Sequence, residues 1–217
     1  MFIGHYAAGL ALKKVDKNIS LGALFIAVQF VDILFFPFVL LGIERMTIIE
    51  NYTPSTHFRL DYYPYTHSLL ASATWALLVY AAVYFITRKN KLSALAMGLG
   101  VISHWFVDLI AHTPDLPLWG DASPKLGFGL WENAVATYVV EALMLLGGLW
   151  VYLKVTKPSN AIGKYGILVM TVFLLLANAL NIFGPLNDTA LAPHALLALF
   201  AYFVFAGMAW WIDKKRA

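Results

Sequence analysis

The chain has 217 residues and a formal net charge of +3, with 61% hydrophobic and 12% charged residues and a mean hydropathy of +0.73. Soluble domains carry roughly 45–50% apolar and about 25% charged residues, so too few polar groups remain here for a water-covered globule, a disordered chain or a nucleic-acid module. Cysteine is absent, which excludes a disulfide framework, a thiolate nucleophile and a cysteine-based metal site.

The composition is that of a membrane protein, and its segments follow in chain order. Phe2 to Leu12 is apolar but shorter than the roughly 20 residues that a span requires. Lys13 and Lys14 follow this stretch rather than precede it, unlike the basic leader of a signal peptide, so it is expected to be retained as a half-helix. Six segments are long and apolar enough to cross: 19–42, 66–87, 92–112, 130–153, 164–184 and 191–212. The fold class expected is all-α, a polytopic membrane helical bundle of about six spans plus a short N-terminal half-helix, in one transmembrane domain. Connections 43–65 and 113–129, rich in Tyr, Pro and Trp, are expected to be interfacial loops.

Basic residues cluster at 13–17, 88–91 (Arg88, Lys89 and Lys91), 154–164 and 214–216, at alternate ends of the spans. By the positive-inside rule both termini are cytoplasmic.

Ionisable groups within a bilayer cost about 2.5–3.5 kcal/mol each on insertion scales and so call for a reason. His104 and Asp108 are four apart, on one helix face. Such a pair can chelate a divalent ion, although a buried His–Asp hydrogen bond is the plainer alternative. His112, four further on, drifts about 80° round the helix. Asp32 lies slightly beyond the middle of the first span and has no intramembrane Lys or Arg to pair with. His67 opens the second span; alternatively it is a headgroup-level residue, with Thr66 capping the helix. His5 precedes Lys13 by eight residues, or roughly 12 Å of helix, which raises it toward the midplane. These depths place His5, Asp32, His67, His104 and Asp108 in one layer of the outer half of the bilayer. Glu132 begins the fourth span, as a base or simply as an acidic residue favoured by the helix dipole. Glu141, mid-span, is a proton acceptor or a partner for a neighbouring helix.

Gly4-His5, an Asp in the first span, Thr66-His67-Ser68, Ser103-His104-x-x-x-Asp108, Thr113-Pro114 and Leu116-Pro117-Leu118-Trp119 occur in that order. The set, confined to about residues 1–120, resembles the YdjM-like inner-membrane metal-dependent hydrolases. The resemblance implies a plasma (inner) membrane location and metal-binding roles for His5, Asp32, His67, His104 and Asp108. Two family positions differ. Val31-Asp32-Ile33-Leu34 stands where the family shows Pro-Asp-x-Asp, and Tyr62-Tyr63-Pro64 where it shows His-Arg-Gly. A second ion and an Arg clamp on an anionic substrate thereby lose their residues, with His112 or Asp61 as candidate replacements.

The function expected is therefore a membrane-embedded metal-dependent hydrolase. One divalent ion rather than two, zinc by the preference of His and Asp donors, would activate water to hydroxide. Glu132 would serve as base or as an orienting group, and the substrate would be a membrane lipid or lipid-like phosphoester, with an amide or other ester as alternatives. A metal-ion or proton-coupled transporter and a metal-stabilised scaffold are the competing readings.

Overall fold

A computed structural model of the chain describes residues 1–88, 90–186 and 189–216. Lys89 of the second basic cluster, and Asn187 and Asp188 of the connection 185–190, lie outside the described residues. The protein is an all-α helical bundle. Five helices are long and apolar enough to cross a membrane: α5 (Leu69–Ile86), α6 (Lys91–Ala111), α7 (Ala134–Val155), α8 (Ala161–Phe183) and α9 (Leu191–Asp213). A bent pair, α2 (Leu21–Val28) and α3 (Phe30–Leu40), brings the number to six if it is taken as one span, and with five or six such helices this is a multi-pass membrane protein. The half-helix is α1 (Ile3–Leu12), and α4 (Pro64–His67) is a single turn before α5.

The helix starts are written in the local sequence. Ser20, Ser68, Asn90, Asn133 and Asn160 each accept a hydrogen bond from a backbone N–H of the first turn that follows, a cap typically worth about 1 kcal/mol. Ser68, not Thr66, caps the second span. The first span is not the continuous helix expected over 19–42. It bends by 50° at Gln29, beside the Val28 carbonyl, which receives the ring N–H of His104 at 2.8 Å. Such an intrusion into the backbone ladder is a recognised cause of kinks.

The connection 43–65 is also more ordered than an interfacial loop. It forms an antiparallel hairpin, β1 (Arg45–Thr53) and β2 (Thr56–Tyr62). Met46 and Ile48 are buried while Arg45 and Thr47 are exposed, the period-two pattern of a strand with one covered face. In the 113–129 connection Leu116–Pro117 pairs with Lys125–Leu126, and a 3₁₀ turn (Leu130–Glu132) leads into α7.

Between helices in lipid, association rests on packing more than on water exclusion. The half-helix α1 is accordingly enclosed by α2, α6 and α7, and a Cβ on Gly148 of α7 would collide with the backbone of Ala7. The main core joins Tyr6, Leu10, Phe25, Leu145, Met170 and Phe205. The basic ends of the helices are tied together. Lys13 pairs with Asp213, the Ser93 hydroxyl donates to Asp16, and Arg216 donates to the Gly163 carbonyl. The hairpin covers the opposite end.

Candidate metal centre

Five side chains from four helices, α1, α3, α4 and α6, converge in the half of the bundle away from those basic ends. The α6 helix contributes His104 and Asp108 from one face, with His104 Nε2 3.1 Å from Asp108 Oδ2. Asp32, in the first turn of α3 just past the bend, lies with Oδ1 3.6 Å from His104 Nε2 and 3.3 Å from His67 Nε2. His67, closing α4, is 4.0 Å from Asp108 Oδ2. His5 on α1 brings its Nε2 to 3.1 Å from Asp108 Oδ1 and stacks on His104, with ring centroids 3.8 Å apart and planes within 4°. Two triads thus have donor atoms close enough to share an ion, His5 with His104 and Asp108, and Asp32 with His67 and His104. Because the rings of His5 and His104 are parallel, their in-plane lone pairs do not aim at one point, and His104 is the residue common to both triads.

The imidazoles are held in a defined tautomer. A carbonyl only accepts, so His104 donates Nδ1–H to Val28 and presents Nε2 as a lone pair toward the carboxylates. Thr66 gives its own hydroxyl hydrogen to Glu44 Oε2 at 2.7 Å, so its oxygen accepts from His67 Nδ1 at 2.8 Å. His112 Nδ1 donates to Asp115 Oδ1 at 2.8 Å, and its Nε2 lies 3.8 Å from Asp108 Oδ2. A ring N–H anchored on a carbonyl or carboxylate, with the other nitrogen free, is how metal-ligating histidines are oriented. His104 Nε2 and both ring nitrogens of His5 have no hydrogen-bond partner among the described residues although they are buried. An unsatisfied buried polar atom costs about 1–3 kcal/mol. A divalent cation would satisfy the His104 Nε2 lone pair and the two carboxylates together, so the donor set fits one.

The surroundings are acidic. Among the described residues no Lys or Arg comes within ion-pair distance of Asp32 or Asp108; the amino group of Met1 lies 2.6 Å from Asp108 Oδ1. Tyr202 donates to Asp32 Oδ2 at 3.0 Å. Asp108 is buried, whereas the Asp32 side chain keeps 17% exposure where it faces a cavity of about 610 Å³. His67, Asp108, His112 and Glu141 also line that cavity, whose volume falls within the roughly 300–1,000 Å³ of small-molecule sites.

Three expected participants lie outside the cluster, Glu132 and Asp61 away from the cavity and Glu141 on its wall. Glu132 is exposed at the end of the 3₁₀ turn, does not line the cavity, and is not brought to the cluster. The reason is local: α7 begins only at Ala134, so Glu132 precedes the helix on which it was expected to sit. Asp61 lies on β2 and accepts from Thr47 and Arg59 at the surface. Glu141 accepts from the N–H groups of Phe2, Ile3 and Gly4 at 3.1, 2.8 and 3.2 Å. It thereby satisfies donors that a helix start leaves unpaired, and of its two expected roles it takes that of partner to a neighbouring helix.

Glu44, Asp115 and Tyr202 are additions to the expected set. Glu44 is fully buried and also accepts from the N–H groups of Tyr65 and Thr66. Burial pushes its carboxyl up from the ordinary value, against the opposing effects of the His67 ring and of those hydrogen bonds. Asp115 was visible as a carboxylate three residues after His112. Tyr202 could have been marked as a phenol within a span, which needs a partner. Compared with family models, with curated proteins and with solved structures, the chain finds no match.

Proposed function

We propose that this protein is a membrane-embedded metal-dependent hydrolase of a lipid-like ester or phosphoester, the activity implied by its resemblance to the YdjM-like hydrolases. One observation carries the reading: histidines with one ring nitrogen anchored direct the other at two carboxylates, at the base of a cavity large enough for a substrate. Asp32, His67, His104 and Asp108 would hold the ion, zinc by donor type, with His5 adjoining. When bound, such an ion supplies Lewis acidity that polarises an ester oxygen and lowers the pKa of water.

The chain's own residues do the rest. Tyr202 fixes the Asp32 carboxylate, Val28 and the Thr66–Glu44 pair fix two imidazoles, and Phe35 and Phe36 line the cavity against bulk water. His112 lines the cavity with Nδ1–H held by Asp115 and Nε2 free, the arrangement of an oriented general base. The role expected of Glu132 passes to it. In the bilayer we place both termini on the cytoplasmic side of a plasma (inner) membrane, with the site in the outer half.

The test is release of a labelled headgroup or fatty acid from lipid vesicles by purified protein. Hydrolysis that stops with a chelator, returns with zinc and is absent in His104→Ala supports the proposal. Hydrolysis unaffected by the chelator, or none from ester and phosphoester lipids with zinc-loaded protein, overturns it. The broken span at Gln29 favours a second reading, since interrupted helices beside a midplane site are a transporter feature. Zinc uptake into proteoliposomes without hydrolysis would select that one. Against it, the packed core of Tyr6, Phe25 and Phe205 fills the bundle between the α1, α2 and α9 helices.

A further inference from the structure

The cavity has a roof. Met46, Phe58 and Leu60 of the hairpin line it, and the hairpin is tied down on two sides. Ser55 Oγ lies 2.9 Å from Thr137 Oγ1 on α7, and the Phe58 ring rests 6.1 Å from that of His194 on α9. The side is different. At their basic ends α8 and α9 are pressed together, because a Cβ on Gly163 would collide with the Lys215 carbonyl, and Ile167 and Met170 pack with Ala209 and Ile212. The ring contact of Phe173 with Phe205, centroids 6.0 Å apart, ends this seam. Beyond it the facing residues Ala177 and Leu180 on α8, and Leu197 and Phe200 on α9, line the cavity instead. Leu180 and Phe200 are at the same time 73% and 67% exposed on the outside of two spanning helices. The surface of this cleft is therefore continuous with the surface that meets lipid tails.

Building on the hydrolase reading, we infer that the substrate is a membrane lipid whose apolar chain enters sideways between α8 and α9. Its reacting group is a carboxylic ester or phosphodiester. The apolar tail lies in the cleft, and the ester reaches Asp32 and His67 from within the membrane, below the hairpin.

The experiment uses the full-length protein in vesicles containing phosphatidylglycerol with a photoreactive acyl chain. Labelled residues are identified by peptide mass spectrometry, and zinc content is measured on the same samples. Phosphatidylglycerol is expected to label the buried cavity wall at Met46 and Phe58. In Ala177→Trp/Ala201→Trp, where bulk fills the cleft, that labelling falls about tenfold, while Leu77 on the exterior of α5 is labelled as before. An unlabelled wall in the wild type, or equal labelling in the filled variant, overturns the lateral route. Zinc content separates the two levels of the account: labelling without zinc removes the hydrolase reading and keeps the route, and zinc without labelling does the reverse.

Discussion

At the basic end of the bundle Lys13 Nζ sits 2.5 Å from Asp213 Oδ2 and donates to the Ile19 carbonyl, while that carboxylate also accepts from Tyr152 Oη and the Leu21 N–H. In the other half Asp32 and Asp108 face four imidazoles, three of whose buried nitrogens have no hydrogen-bond partner among the described residues. Both groups are buried, ionic and built from several helices. The first balances a cation with an anion and fills its hydrogen-bond sites, as a structural tie between α1, α2, α7 and α9 must. The second pairs Asp108 with the Met1 amino group but leaves Asp32 without a Lys or Arg, and buried imidazole nitrogens without partners, among the described residues, which structure alone does not require. Burial does not separate a clasp from a site; the balance of donors and acceptors does.

That contrast can be broken most forcefully at the clasp. Lys13→Met strands the Asp213 carboxylate and should lower stability by about 3–5 kcal/mol, read by unfolding in detergent, with most of the loss recovered by Lys13→Met/Asp213→Leu. Zinc binding by the folded protein should be unchanged. At the other group Asp108→Asn also leaves the buried Met1 amino group without its carboxylate and should cost stability with or without metal. In addition it should abolish the stabilisation that zinc confers on the wild type, about 2.7 kcal/mol at a hundredfold excess over Kd.

A smaller effect is expected one layer out. Thr66→Val cuts the link between Glu44 and His67 and should weaken zinc affinity by roughly 10–100-fold without changing its stoichiometry, as titration would show. The smallest effect belongs to Glu132→Gln and Asp61→Asn, which should leave zinc affinity and any hydrolysis at wild-type levels. A large loss in either would restore that residue to the site.

The helices and the cluster were legible to different depths. Hydropathy located the spans because each needs about 20 apolar residues, and the i, i+4 spacing of His104 and Asp108 placed them on one face before any tertiary information. Depth counted from Lys13 brought His5 to the right layer. The bend at Gln29 left no mark, since no Pro or Gly stands there and the run 21–40 is continuously apolar apart from Gln29 and Asp32. The hairpin was hidden because its aromatic and Tyr-rich residues suit an interfacial loop as well as a strand. Glu44, Asp115 and Tyr202 act through partners, and for Glu44 and Tyr202 those partners are 22 and 170 positions away, a relation that local pattern does not encode. Glu132 misled because the reading began the fourth span at 130, four residues before α7 starts.

The measurement that bears most directly on the account is the metal content of detergent-purified protein, wild type beside His104→Ala and Asp108→Ala, by elemental analysis after zinc incubation and removal of loose ions. The account predicts about one equivalent of zinc in the wild type and its loss in both variants, each still folded. Wild-type protein that retains no divalent ion, or variants that bind it as well as the wild type does, would contradict the assignment of this cluster as a metal centre.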